Sequence, residues 1–189
     1  MNKLLIVIDA QNDFITGSLG NKDAVKTVPT IVDIVKYAKE NFLFSTVFTQ
    51  DTHFGNYITT QEGTKLPVEH CIYLSKGWNI RSEIIAAAEL RYVRFEKSSF
   101  GMADWKSCIS KAFYDKITPD EIIICGFCTD ICVIANFQII KACYPEIPIT
   151  IISDGCAGTS QELHNAALKV MSNCQANVTT WDEWKAGVM

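Results

Sequence analysis

Three cysteines between residues 125 and 132 could support two different kinds of chemistry. Cys125 and Cys128 have the Cys-x-x-Cys spacing of thiol–disulfide redox pairs. Cys132 follows an apolar run and stands near the start of a segment with helical periodicity, where the positive end of a helix can activate a thiol. Because Cys125 continues the apolar run of residues 122–124, we expect it to be buried and inert. The pattern therefore favours Cys132 as a nucleophile, with the redox pair as the alternative.

Three charged residues stand where other apolar runs end. Asp9 ends the first run, Asp51 follows the second and Lys97 follows the third. A single Asp in such a place is more often a turn or helix-capping residue, and a single Lys is usually solvated. Because the carboxyl ends of parallel strands share one edge of a sheet, these residues can also converge with Cys132. Together they would supply a nucleophile, a base and a cation.

The segment after the second apolar run carries the residues of a candidate metal site. Asp51 and His53 are two residues apart, and His70 follows in the same segment. Two histidines and one carboxylate are a common catalytic metal set that leaves positions open for water or substrate. Ordinary loop histidines are the alternative. Since this segment contains two of the chain's three histidines, we favour the metal site.

Strand-like and helix-like segments alternate along the chain, which predicts an α/β fold with a mostly parallel sheet. Pro29 lies in the first turns of the first long helix, which we therefore expect to begin near it. The polar segment 50–76 is expected to be an irregular functional loop, residues 153–157 a turn, and His164 a surface or interface residue. Strands are predicted at 3–9, 42–49, 92–95, 121–124, 147–152 and 178–180, and helices at 23–41, 81–89, 104–114, 131–143, 161–174 and 181–184.

Composition limits the classes of protein and partner. At 189 residues the chain is expected to form a single domain, 1–189. The net charge of −4 excludes a basic nucleic-acid footprint, and no apolar run approaches the roughly 20 residues of a membrane span. Five apolar residues after Met1-Asn2-Lys3 are too few for a signal peptide, so the eight cysteines are expected to stay reduced in the cytoplasm. We expect neither nucleic acid nor membrane as a partner.

The candidate residues occur in the order of a known family. They are Asp9-Ala10-Gln11-Asn12-Asp13-Phe14, Asp51-x-His53, His70-Cys71, Lys97 and Gly126-x-x-Thr129-Asp130-x-Cys132-Val133. This set resembles the nicotinamidase (pyrazinamidase) branch of the isochorismatase-like cysteine hydrolases, over almost the whole chain. The resemblance implies a three-layer α/β fold with a central, mostly parallel six-stranded sheet, helices on both faces, and assembly as a homo-oligomer.

The resemblance also implies the activity, which is hydrolysis of nicotinamide to nicotinate and ammonia through a thioester. It implies no organic cofactor and one divalent metal ion, expected to be zinc, with manganese or iron as alternatives. Related amidases acting on another small substrate are the nearest alternative, and a catalytically silent binding protein is disfavoured because no triad residue is missing. The implied catalytic triad is Asp9, Lys97 and Cys132, and the implied metal ligands are Asp51, His53 and His70.

The turn before the nucleophile is implied to hold the oxyanion. By the resemblance, the peptide bond between Phe127 and Cys128 is cis, and the backbone amides of Cys128 and Cys132 are the oxyanion donors. Phe14 is expected to form a wall for the substrate ring.

One motif departs from the family pattern. Many members carry Trp-Pro-x-His-Cys before the last metal ligand, whereas this chain has Leu66-Pro67-Val68-Glu69-His70-Cys71. Leucine therefore replaces tryptophan, with one extra residue in the motif. If the missing aromatic wall is replaced, we expect Phe100 or Tyr57 to supply it.

Overall fold

A parallel sheet organises the fold in the computed structural model, which describes residues 1–113 and 118–188. Within these residues, six strands form one sheet in the order β3-β2-β1-β4-β5-β6, and every strand pair is parallel. The predicted α/β fold is confirmed. The strands are β1 (Lys3–Ile8), β2 (Phe44–Asp51), β3 (Val93–Lys97), β4 (Glu121–Phe127), β5 (Ile149–Ala157) and β6 (Ala176–Thr179).

Helices cover the sheet on both faces. On one side α2 packs against α4 and β5, and on the other α6 packs against α5 and α7. No helix of the described residues is both long and apolar enough to cross a membrane. The helices are α1 (Asn12–Ile15), α2 (Lys22–Glu40), α3 (Gln61–Lys65), α4 (Ser82–Ala88), α5 (Trp105–Ala112), α6 (Ile134–Cys143), α7 (Gln161–Asn173) and α8 (Trp181–Val188).

Strand β1 lies in the middle of the sheet because its apolar residues are uninterrupted. Leu4 through Ile8 are all fully buried, as expected for a parallel strand covered on both faces. The strand pairs with β2 on one side and with β4 on the other. The chain order reverses between β1 and β4, and in open α/β sheets ligands bind beyond the carboxyl ends of the strands at such a point.

Two predicted boundaries near α2 were wrong. The helix begins at Lys22 and not near Pro29, because the side chain of Asn21 accepts hydrogen bonds from the backbone N–H groups of Asp23 and Ala24. This cap satisfies the first turn, and the proline removes only one later donor. Strand β2 begins at Phe44 and not at residue 42, because a turn closed by Asn41 leaves Phe42 89% exposed.

Residues 153–157 were predicted as a turn, which was wrong, because they belong to β5. The register shifts in β4 so that Gly126 pairs with Cys156 and Phe127 with Ala157, which extends the strand. Gly126 has φ +121°, and a Cβ atom there would lie 2.0 Å from the carbonyl oxygen of Ile8. Only glycine fits this close approach of β4 to β1.

The polar segment 50–76 is more regular than predicted. It starts inside β2 and contains a short 3₁₀ turn (Tyr57–Thr59) followed by α3. The side chain of Thr60 caps α3 by accepting from the N–H of Gly63. The predicted helix end at Tyr114 lies outside the described residues.

Candidate active site

The carboxyl edge of the sheet brings together Asp9, Lys97 and Cys132. Lys97 is the last residue of β3, and its side chain reaches past the end of β2 toward β1. Its Nζ atom lies 2.7 Å from Oδ2 of Asp9 and 3.7 Å from Sγ of Cys132. All three residues are buried. The ammonium group therefore contacts both the carboxylate and the thiol in a buried position.

Asp9 has one fixed oxygen and one oxygen with spare capacity. Oδ1 accepts a hydrogen bond of 2.7 Å from Oγ1 of Thr49. Oδ2 is ion-paired with Lys97 but accepts no hydrogen bond of good geometry from the described residues. Burial raises the pKa of Asp9 and Asp51 adds to this, while Lys97 opposes it. These features suit a carboxylate that receives a proton.

Cys132 lies in a π-helical turn (Thr129–Val133) that leads into α6. Burial raises the pKa of its thiol well above the usual value, Asp9 raises it further, and Lys97 opposes the rise. Lys97 therefore offsets part of the rise that burial causes. The thiol is protonated at neutral pH and needs a neighbouring base.

Lys97 keeps its charge in this buried place. Burial lowers the pKa of its ammonium group, but the interactions with Asp9, Cys132 and Asp51 outweigh that effect and raise the pKa above the usual value. The ammonium group also contacts Oδ1 of Asp51 at 3.2 Å and the carbonyl oxygen of Ser99 at 3.0 Å. It is therefore a fixed positive charge beside the thiol.

The three predicted metal ligands lie together, and the structure adds a fourth residue, Glu62. The ligand atoms of Asp51, His53, Glu62 and His70 all lie within 4.8 Å of one another. His53 Nε2 is 3.0 Å from Oδ2 of Asp51 and 3.5 Å from Oε1 of Glu62, and His70 Nε2 is 3.6 and 3.5 Å from the same two atoms. Glu62 reaches the group from the first turn of α3. Sequence spacing did not distinguish it from Glu69, which is exposed.

This donor set fits a divalent cation. Two imidazoles and two carboxylates are ligands that zinc accepts. His70 Nδ1 lies 2.8 Å from the carbonyl oxygen of Val68, which directs Nε2 toward the carboxylates. Burial lowers the pKa of His70, but Asp51 and Glu62 outweigh it and raise the pKa to about 9. The group therefore attracts positive charge, which a metal ion would supply in place of that proton.

The motif after β1 fixes the metal ligands in position. The side chain of Gln11 accepts from the backbone N–H of Asp51 at 2.7 Å and donates to its carbonyl oxygen at 2.9 Å. Oδ2 of Asp13 accepts from the N–H of Cys71 at 2.7 Å, next to His70. The sequence predicted no separate role for Gln11 and Asp13 beyond their place in the motif that resembles the family.

A cavity of about 360 Å³ opens over these groups. Phe14 lines it and contacts His70 edge-on, with ring centroids 5.7 Å apart. Phe100 also lines it, whereas Tyr57 does not and packs behind the histidines of the cluster. The other lining residues are Leu19, Gly20, Asn21, Asp51, Glu62, Leu66, His70, Cys128, Ile131, Cys132 and Thr159.

The turn between β4 and the nucleophile has the expected backbone. The peptide bond between Phe127 and Cys128 is cis, as the resemblance implied. The carbonyl oxygen of Cys128 accepts from the N–H groups of Ile131 and Val133, which folds the turn around Cys132. Cys128 lines the cavity with Cys132.

Two residues that hold this turn were not identified as such from the sequence. Asn136 is fully buried in α6 and donates to the carbonyl oxygen of Cys132 at 2.7 Å. His164 is half-buried, and its Nδ1 lies 2.8 Å from Oγ1 of Thr129, so it supports the turn from α7. No motif signal distinguished either residue, because their partners are distant in sequence or on another element.

Cys125 does not have the environment of a redox thiol. It is fully buried within β4, and burial raises its pKa well above the usual value. Cys132 is buried too, but it lines the cavity and contacts Lys97, whereas Cys125 does not line the cavity and its charged neighbour is Asp154, which raises its pKa further. A reactive Cys-x-x-Cys pair needs an accessible thiol with a lowered pKa. The geometry therefore favours Cys132 over the redox pair.

Comparison with known proteins finds relatives and solved structures that are named nicotinamidases or pyrazinamidases. A probable inactive nicotinamidase of Arabidopsis thaliana is 26% identical over 196 residues, covering 97% of this chain and 94% of the relative. A crystal structure of a Bacillus subtilis nicotinamidase is 27% identical with a TM-score of 0.76, covering 95% of this chain and 99% of that chain. A Pyrococcus horikoshii pyrazinamidase solved in complex with zinc shares the fold at 21% identity and a TM-score of 0.80, covering 96% and 100%.

A family assignment follows from a match to a family model over nearly the whole chain. The model of the isochorismatase domain matches residues 3–183, which include every residue of the site described above. The chain therefore belongs to the isochorismatase-like hydrolase family.

Proposed function

We propose that this protein is a metal-assisted cysteine amidohydrolase that converts nicotinamide and water to nicotinate and ammonia. The observation that carries the proposal is the position of Lys97 Nζ, 2.7 Å from Asp9 and 3.7 Å from Cys132, beside a cluster of four metal-ligating residues. The similarity to the Bacillus subtilis nicotinamidase supports this choice of amide.

The first step is a proton transfer from the thiol to Asp9. Cys132 is protonated at rest, and Oδ2 of Asp9 has capacity for a proton. The thiolate that forms is stabilised by the ammonium group of Lys97 and attacks the amide carbon. Asp9 then gives its proton to the departing ammonia.

The turn that leads to Cys132 is proposed to stabilise the negative charge that develops on the amide oxygen. The backbone N–H groups of Cys128 and Cys132 are the proposed donors to this oxyanion. Collapse of the tetrahedral species breaks the carbon–nitrogen bond and leaves a thioester on Cys132. Asp9 takes a proton from water as the water attacks the thioester carbon. The carbon–sulfur bond then breaks, nicotinic acid leaves and ionises, and Asp9 returns its proton to the thiolate of Cys132.

The aromatic residues and the metal cluster that line the cavity are proposed to orient the substrate. Phe14 and Phe100 bind the aromatic ring, and Asp51, His53, Glu62 and His70 would hold the metal ion. When bound, that ion supplies a Lewis-acidic partner for the ring nitrogen. We propose zinc, with manganese or iron as alternatives, because the donor set suits it.

The alternatives predict different behaviour of the same residues. A related amidase would release ammonia from another small amide and require Cys132. A catalytically silent binding protein would release none, and the Arabidopsis relative carries the name of a probable inactive nicotinamidase. A redox protein would depend on Cys125.

Ammonia release from nicotinamide tests the proposal. We expect release by the wild type, loss with Cys132→Ala, and little change with Cys143→Ala or Cys125→Ser, whose thiols lie outside the cavity. Absence of release by the metal-loaded wild type would contradict the nicotinamidase assignment. Unchanged release after complete removal of metal by a chelator would contradict the role of the metal cluster.

The remaining expectations concern the whole protein. We propose a cytoplasmic homo-oligomer whose partner is a small amide, with neither nucleic acid nor membrane. The eight free cysteines are consistent with a reducing compartment. Sedimentation velocity would measure the oligomeric state, and a purely monomeric protein at micromolar concentration would contradict it.

A further inference from the structure

A second cavity of about 720 Å³ adjoins the one that contains Cys132. Four residues line both cavities, namely Glu62, Leu66, Phe100 and Ile131. The two spaces are therefore separated by a wall of single side chains. The outer cavity has twice the volume of the inner one. His53, Glu62 and Phe100 of the candidate site also line it, but the placement proposed above puts no part of nicotinamide inside it.

Hydrogen bonds fix the backbone of this wall at Leu66 and Phe100, whereas the side chains of these two residues are partly exposed. The carbonyl oxygen of Leu66 accepts from the hydroxyl of Tyr57 at 2.9 Å, and that of Phe100 accepts from Nδ2 of Asn136 at 3.0 Å. The side chains themselves are not packed into the core, since Leu66 is 37% and Phe100 47% exposed. They can change rotamer without a loss of core packing.

The outer cavity offers surfaces for an aromatic group. Phe54 and Tyr57 contribute ring surface, and Ile131 contributes an aliphatic one. Polar groups also line it, among them the hydroxyls of Ser98 and Ser99 and the charged side chains of Glu62 and Lys65. A flat apolar group entering from the inner cavity would meet mainly ring and aliphatic carbon.

We propose that the substrates of this protein include aromatic carboxamides with a second ring, and that this ring extends past Leu66 and Phe100 into the outer cavity. The inference rests on the proposed function, because the carboxamide must still reach Cys132. Leucine at position 66 is the residue that determines this specificity, since a larger side chain there would close the passage between the cavities.

Quinoline-3-carboxamide is a suitable probe. It keeps the ring nitrogen and the carboxamide in the same relation as nicotinamide and adds a fused ring at the far side. We expect the wild type to hydrolyse both amides to the acid and ammonia. Leu66→Trp should lower the ratio of kcat/KM for the quinoline to kcat/KM for nicotinamide by roughly tenfold or more, as expected when a pocket loses room for several carbons.

Two further variants make the result decisive. Leu90→Trp, at a leucine that is 94% exposed and lines neither cavity, should leave the ratio unchanged. Leu66→Ala should raise the ratio, so the inference stays testable if Leu66→Trp does not fold.

Three outcomes would overturn the inference. In the first, the wild type cleaves nicotinamide but not the quinoline, and the proposed function survives. In the second, the ratio is the same in the wild type and the folded Leu66 variants, which also leaves the proposed function standing. In the third, the wild type cleaves neither amide, and the proposed function fails as well.

Discussion

At the scale of single residues, the position of Asp9 explains how a buried thiol can become a nucleophile. The hydroxyl of Thr49 occupies one carboxylate oxygen, so the other is the oxygen that faces Lys97 and can receive a proton. Lys97 stabilises negative charge wherever the proton goes, because it contacts both Asp9 and Cys132. Asp9 should therefore matter as a proton acceptor and not only as a partner of the lysine.

Asp9→Asn tests this role, because asparagine keeps the size of the side chain but cannot take the proton. We expect kcat for nicotinamide to fall by about 10²- to 10⁴-fold with a smaller effect on KM. Thr49→Val removes the hydroxyl that donates to Oδ1 and accepts from the backbone N–H of Asp9, and it should cost about tenfold. Equal losses in the two variants would show that Asp9 acts only through its position.

Glu62 is a residue of the candidate metal cluster that could not be predicted from the sequence. Asp51, His53 and His70 were predicted from residue type and proximity in the chain, and they do lie together. Glu62 joins them because α3 begins after Thr60 and directs its first turn at the cluster. That helix was not predicted, so Glu62 had no advantage over other acidic residues of the segment.

Glu62→Gln should therefore weaken zinc binding at least about tenfold, since the site loses a negative oxygen ligand. Competition with a chromophoric chelator would measure the affinity. Glu69→Gln changes an exposed carboxylate beside His70 and is the matched control, with no expected change. If both variants bind zinc like the wild type, Glu62 is not a ligand.

At the scale of elements, Asn136 joins α6 to the loop after β3. Its Oδ1 accepts from the N–H of Met102 and from the indole of Trp105, and its Nδ2 donates to the carbonyl oxygens of Phe100 and Cys132. These four bonds use the full capacity of the amide. The element that carries the nucleophile is thereby tied to the loop that carries Phe100.

Asn136→Ala should reduce the free energy of unfolding by about 3 kcal/mol, because it leaves buried polar partners unsatisfied. Urea denaturation would measure this loss. Asn165→Ala, an exposed asparagine in α7, should stay within about 0.5 kcal/mol of the wild type. Similar values for both variants would contradict the structural role of Asn136.

The elements that could be predicted are those whose pattern is local. The apolar run of β1 and the helical period of α7 depend only on neighbouring residues, and both were located from the sequence. The extension of β5 to Ala157 could not be, because it depends on the register shift at Gly126 in another strand. The same holds for Asn136, whose role is set by contacts between distant segments.

At the scale of the whole molecule, the two edges of the sheet have different tasks. The candidate site occupies the carboxyl edge, whereas α8 packs near the amino ends of β1 and β4. Trp184 donates to Oε1 of Glu121, lies 4.8 Å from the ammonium group of Lys3 and stacks on Trp181 at 5.2 Å. The C-terminal tryptophans therefore pack α8 against the sheet.

Trp184→Ala should therefore separate stability from activity. We expect the free energy of unfolding to fall by about 3–5 kcal/mol, as for other buried tryptophans. Below the melting transition, kcat for nicotinamide should remain unchanged, because the site is at the opposite edge. A loss of kcat in the folded variant would show that the two edges are coupled.

The carboxylate of Asp51 belongs to both halves of the site. Oδ1 contacts Lys97 at 3.2 Å, while Oδ2 faces the two histidines of the metal cluster. One negative charge thus stabilises both the ammonium group beside the nucleophile and any cation in the cluster. Suppose that a change in the charge of the Lys97–Cys132 pair changes the affinity of the cluster for a cation. By thermodynamic linkage, cation binding then shifts the protonation equilibrium of that pair by the same free energy. A cation held by this cluster and the charge state of the Lys97–Cys132 pair would therefore affect each other, although no atom of the ion needs to touch the thiol.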